Sequence, residues 1–120
     1  MTNHEIDQFI TEIKRIKENN VRIKGDKKYP TKELNFKYSG VSHAPTMEVE
    51  QGKRTDIYEF EKCFSASNLN HQIAKWILFS IRAKKLSGQF YLVVNEKDQL
   101  KFTKIIREKL LDIKIITLTS

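Results

Sequence analysis

Four glutamates at alternating positions are the residues of this chain best placed to do chemistry. Residues 47–50 and 55–61 read as the two strands of a hairpin, with Gly52-Lys53 as the loop and Gly52 able to take positive φ. Gln51 then faces Arg54, Glu50 pairs with Thr55, Glu48 with Ile57 and Thr46 with Glu59. Opposed residues share a face, and alternate residues return to it. One face therefore carries Thr46, Glu48, Glu50, Ile57, Glu59 and Glu61, and the other carries Pro45, Met47, Val49, Asp56, Tyr58 and Phe60. A slip of one residue would undo the alignment. Four carboxylates side by side repel one another unless solvent or a cation neutralises them. Magnesium suits the task, since it takes hard oxygen ligands from one or two carboxylates plus waters. Such an ion polarises a phosphate and activates water. The other reading of the same residues is a solvated acidic face on an exposed hairpin.

The remaining polar candidates are weaker. Lys75 stands on the helix after the hairpin, where it can reach back toward Glu59 and Glu61 or lie solvated along Trp76. Gln72 and His71 share that helix, and His43 precedes the hairpin without a partner at metal-ligand spacing. Lys62 points away from Glu61 in a regular strand, and Asp56 fits a turn or salt-bridge role. Lys24, Lys27, Lys28, Lys32 and Lys37, with Tyr29 among them, can track a phosphate backbone or form a solvated loop. Cys63 lies in an apolar, strand-like segment and reads as a buried, inert thiol. With one cysteine there is no internal disulfide and no zinc set, which fits a reducing compartment.

The elements that position these residues follow from periodicity. Ile6, Phe9, Ile10, Ile13 and Ile16 give an apolar stripe over 4–18, Thr2 and Glu5 have capping-box spacing, and Asn19-Asn20 is a stop. Val21 to Lys24 reads as a short edge strand and Gly25 to Pro30 as a basic turn. Leu34, Phe36 and Tyr38 alternate with polar residues, a half-buried strand ended by Ser39-Gly40. The helix at 68–86 has Leu69, Ile73, Trp76, Ile77 and Ile81 as its apolar face, Ser67 or Asn68 at its start and Gly88 at its end. Phe90 to Val94 is a continuous apolar run, expected of a central strand covered on both faces. Asn95 caps a helix over 97–112, with Phe102, Ile105, Ile106 and Leu110 inward, and residues 113–118 form a last strand. The sum is one α/β domain over 1–120, with a helix at 1–20, a core at 34–118 and the order αβββαβαβ. It is a mixed central sheet flanked by helices.

Composition narrows the class. The 120 residues are 39% hydrophobic and 31% charged, enough for one core beneath an ionic surface. Lys plus Arg is 22 against 15 acidic residues, a net +7 that speeds encounter with nucleic acid. No run approaches the ~18 apolar residues of a membrane helix. The N-terminal residues are polar and then acidic, unlike a secretory signal. A cytoplasmic protein with no membrane partner is expected.

The order of elements resembles the core of the PD-(D/E)XK nuclease superfamily, the restriction-endonuclease-like fold. In that family a Pro-Asp pair opens the second strand and an acidic–x–Lys triplet lies on the third. Here Pro45-Thr46 and Glu59-Phe60-Glu61 occupy those places. Thr46 departs from the pattern, because a hydroxyl cannot replace a metal-binding carboxylate; Glu48 or Glu50 would have to serve instead. Glu61 stands where the lysine is usual, and members with glutamate there exist. Some members place the lysine on the following helix, the position of Lys75. Gln72-Ile73-Ala74-Lys75-Trp76 is similar to a Gln–x3–Tyr motif, with Trp for Tyr. The resemblance implies Mg2+ (or Mn2+) held by Glu59 with Glu48 or Glu50, and a site completed by Glu61, Gln72 and Lys75. It implies hydrolysis of DNA phosphodiesters, with a homodimer where two cuts are needed. The alternative is an inactive module of the same fold that binds nucleic acid or a protein.

Overall fold

Alternating side chains bury two faces of a strand, and the sheet of this chain is built to be covered on both. The computed structural model describes residues 1–17, 20–35 and 42–119. Its central sheet contains β1 (Val21–Ile23), β4 (Met47–Gln51), β5 (Arg54–Glu61), β6 (Phe90–Asn95) and β7 (Lys114–Leu118), side by side in that order. Neighbours β1/β4 and β4/β5 run antiparallel, while β5/β6 and β6/β7 run parallel. A separate two-stranded ladder pairs β2 (Leu34–Asn35) with β3 (Ser42–His43).

Helix α1 (Asn3–Lys17) lies on one face of the sheet. Phe9, Ile10 and Ile13 pack there against Val21, Met47, Val49, Tyr58 and Val93. Its start is closed by a reciprocal capping box, Thr2 N to Glu5 Oε1 at 3.1 Å and Glu5 N to Thr2 Oγ1 at 3.2 Å. The other face carries α2 (Leu69–Lys85) and α3 (Gln99–Glu108), whose Trp76, Phe79, Phe102 and Ile106 meet Ile57, Phe90, Leu92 and Val94. Strand β6 is buried from both sides, as its unbroken apolar run requires.

In chain order the central sheet and its helices read αβββαβαβ, but the first strand is Val21–Ile23. Leu34, expected to open a strand beside the hairpin, pairs with His43 instead. Val21 is the better edge residue, because it buries opposite Val49 under α1. Phe36, Tyr38 and Lys37, and the stop at Asn19, fall outside the described residues.

Helix α2 keeps Leu69, Ile73 and Trp76 of the expected stripe on the core but not Ile81. Gln72, Trp76, Phe79 and Ala83 form its buried line, and Ile81 is 47% exposed. No side chain caps its first turn, although Asn68 occupies the cap position. Its end is a Schellman turn: Gly88 N to Ala83 O at 2.8 Å and Ser87 N to Lys84 O at 3.1 Å, with Ser87 at φ 60°. The left-handed residue is thus Ser87, not Gly88. Gly88 is needed for another reason, since a Cβ there would stand 1.7 Å from the Thr55 carbonyl oxygen. Asn95 accepts from Lys97 N at 2.9 Å, but it caps a 3-10 turn over Glu96–Asp98 rather than the helix itself; Asp98 holds the N-cap position of α3. Helix α3 stops at Glu108, short of 112, because Leu110 turns left-handed with φ 52°; its side chain is 91% exposed rather than inward.

Candidate acidic site

The hairpin register is the one the sequence predicts, with Gln51 opposite Arg54, Glu50 opposite Thr55 and Glu48 opposite Ile57. Thr46, Glu48, Glu50, Glu59 and Glu61 therefore share a face. That face is no solvated surface: Glu48, Glu59 and Glu61 are buried beneath α2. The helix leaves the end of β5 and runs back along it, so that Thr55 N bonds Leu86 O at 3.1 Å at the far end. Positions 72, 75, 79 and 82 come round to one side of a helix. Gln72 and Lys75 thus lie over Glu61 and Glu59, and Arg82 lies over Glu48.

Lys75 Nζ sits 2.7 Å from Glu61 Oε1 and 3.5 Å from Glu59 Oε2. The three side chains are only 18%, 5% and 7% exposed. Gln72 Nε2 donates to the other Glu61 oxygen. Glu59 Oε1 accepts from the Thr46 hydroxyl, from Thr46 N at 3.3 Å and from Phe60 N at 3.2 Å. Each oxygen of the two carboxylates has a protein donor, as burial of charge demands. Burial pushes the Glu61 carboxyl up, against the pull of Lys75 and Gln72 and with a further push from Glu59. Burial alone works to lower the Lys75 ammonium, but Glu59 and Glu61 outweigh it and hold the group above its usual value. The lysine stays charged, and the cluster is a compensated set rather than a bare acidic patch.

The structure brings Glu59, Glu61, Gln72 and Lys75 together. It does not bring Glu48 or Glu50 to them. Arg82 Nε stands 3.5 Å from Glu48 Oε1, and Arg22 Nε bonds Glu50 Oε1 at 3.2 Å on the rim. Each of these carboxylates is held by its own arginine, a pairing that strand periodicity alone did not reveal. Among the described residues no group of three or more His, Cys, Asp or Glu side chains is arranged to hold a metal ion.

At the mouth, His43 and His71 meet edge to face, 5.1 Å between ring centres. Burial first, then the charges of His71, Lys75 and Lys24, lower His43 despite Glu59 nearby. His43 thus has the partner that its sequence neighbourhood lacked. Lys24 belongs to this surroundings, with its N bonded to Thr46 O at 3.0 Å. Lys27, Lys28 and Lys32 are exposed on the preceding loop. Asp56 is structural, as expected: Arg54 grips it with two bonds of 3.0 Å, and Gln89 N donates to it at 2.8 Å. Lys62 reaches Asn3 of α1, on the opposite face. Cys63 is exposed, not buried, because β5 ends at Glu61 and the chain bends there.

Comparison of the chain with protein-family models, with curated proteins and with solved structures finds no match. Among the described residues no helix is long and apolar enough to cross a membrane.

Proposed function

We propose that this chain is a nuclease-like domain of the PD-(D/E)XK type that acts on the phosphodiester backbone of DNA, with Glu59, Glu61, Gln72 and Lys75 as its centre. The observation that carries the reading is the meeting of Lys75, from α2, with Glu59 and Glu61, from β5, in one buried seam. Burying three charged groups for stability alone is a poor bargain, since well-packed apolar residues serve as well or better. Such groups concentrate where chemistry is done.

Glu59 and Glu61 are two adjacent carboxylates with the hard oxygens magnesium takes, and to hold the ion they would exchange contacts with Lys75 and Gln72 for it, water and substrate phosphate completing its shell. When bound, it supplies polarisation of the phosphate and activation of water. The chain's own residues do the rest. Thr46 and its backbone amide fix Glu59 from one side, and Gln72 fixes Glu61 from the other. Lys75 balances the pair and carries positive charge at the place where a phosphate in reaction becomes more negative. The excess of basic residues favours approach of the polyanion.

Cleavage of plasmid DNA with magnesium is the test. Nicking by the wild type that falls by about 100-fold or more in Glu59→Ala and in Lys75→Ala supports the proposal. Cleavage that survives Glu59→Ala refutes the site.

One observation favours a second reading, an inactive module of this fold. The Thr46 hydroxyl occupies Glu59 where the family's pattern has a further carboxylate, and the protein satisfies both glutamates by itself. Binding of DNA that is independent of magnesium and falls steeply with salt, without cleavage, is the signature of that reading.

A further inference from the structure

A recess lies on the same side of the sheet as the Glu59 cluster, at the opposite end of α2. It encloses ≈ 450 Å³ between the β1–β4 edge, the loop 30–32 and the last turn of the helix. Its charged lining is Arg22, Lys32 and Arg82 against Glu48 and Glu50. Both carboxylates are already matched: Glu50 bonds Arg22 Nε at 3.2 Å, and Glu48 faces Arg82 Nε at 3.5 Å. Lys32 is left in excess. The Glu48–Arg82 contact is also incomplete, since Glu48 Oε1 and Arg82 Nε are buried without a hydrogen-bond partner. Arg82 remains 25% exposed beside the recess, and Arg22 44%. In each arginine Nε faces a glutamate, and a guanidinium carries further N–H donors beyond that one, of the kind that pair with oxyanions.

The geometry points to a receptor for a phosphate monoester. Two arginine forks and one lysine over a recess fit a compact dianion, and arginine matches phosphate oxygens in pairs. A monoester end carries up to two negative charges where a backbone diester carries one, so the cations of the recess favour a terminal phosphate, of a free mononucleotide or of a nucleic-acid strand. The loop wall is fixed for the purpose: buried Thr31 donates to Pro45 O at 2.7 Å, which sets Lys32 at the rim. This site does not rest on the Glu59 cluster.

The test uses the full chain in EDTA. Fluorescent oligonucleotides carrying a 5′-phosphate, a 3′-phosphate or only hydroxyl ends are compared by anisotropy, and a nucleoside monophosphate is titrated by calorimetry. The predicted result is a preference of about tenfold for one phosphorylated end, cut to about twofold or less by Lys32→Gln and by Arg22→Gln. Both are exposed residues, so their variants fold, and Glu59→Ala leaves the preference unchanged. Binding of the mononucleotide with the same sensitivity, and no preference among oligonucleotides, supports the site and names the free nucleotide as its source. No preference and no mononucleotide binding overturns the proposal. So does phosphate binding indifferent to both variants.

Discussion

Thr46 is the residue on which the proposed chemistry turns. Its hydroxyl holds one oxygen of Glu59 while Lys75 faces the other. Thr46→Val removes a charge-assisted bond from a buried carboxylate, and the expected loss is about 1.5–3 kcal/mol by chemical denaturation. Thr46→Asp places a carboxylate where the PD-(D/E)XK pattern has one; it is expected to lower stability in EDTA and, on the proposed function, to tighten magnesium uptake in calorimetry. A second residue reports on the other face. Burial first, then the charges of Asp56 and Tyr91, push the Tyr58 phenol up to about 12 from 10.0. The folded state thus disfavours its phenolate, so the stability linked to Tyr58 is complete below pH 10 and is lost as pH rises through about 12. An ultraviolet titration is expected to show a late-ionising component that Tyr58→Phe abolishes. At this scale the sequence was informative where spacing decides the answer. The hairpin register follows from Gly52 and strand alternation, and the reach of Lys75 to Glu59 and Glu61 follows from helix spacing. The partners of Glu48, Glu50 and His43 come from Arg82, Arg22 and His71, residues far away in sequence that only packing selects.

At the scale of elements, α2 sets both sites, because one helix carries Gln72 and Lys75 at one end and Arg82 at the other. Of the stripe read from the sequence, Leu69, Ile73 and Trp76 do pack on the core, and Ile81 does not. The line Gln72–Trp76–Phe79–Ala83 faces the sheet, since that rotation brings the polar residues over their carboxylates, and Ile81 is left half in solvent. The turn after α2 fixes the register of the crossover. Gly88→Ala forces a Cβ into the Thr55 carbonyl and is expected to destabilise by about 3 kcal/mol or more, or to prevent folding, as measured by thermal melts. Ser87→Gly relieves a left-handed serine and is expected to stabilise by about 0.5–1 kcal/mol. The edge strand was the harder element to read. Val21–Ile23 and Leu34 onward both alternate, and only burial opposite Val49 under α1 chooses the first for the central sheet.

Across the whole molecule, a mixed five-stranded sheet with α1 on one face and α2 and α3 on the other holds the acidic seam between sheet and helix, near the C-terminal end of β5. Parallel β5 and β6 end on the same side, which is where open α/β sheets tend to keep their sites. That architecture was legible because β6 is apolar throughout and the hairpin is marked by its glycine. The burial of the glutamates was not, since strand alternation says which residues share a face and not what covers it. The net charge of +7 adds long-range attraction for a polyanion at low salt. The central claim of the proposal is that Glu59 and Glu61, balanced by Lys75, take up magnesium at a phosphodiester. Calorimetric titration of magnesium into the wild type and Glu59→Ala, each with a short duplex DNA present, tests it most directly. Saturable uptake by the wild type that disappears in Glu59→Ala is the predicted result; no uptake by either protein, or equal uptake by both, contradicts the claim.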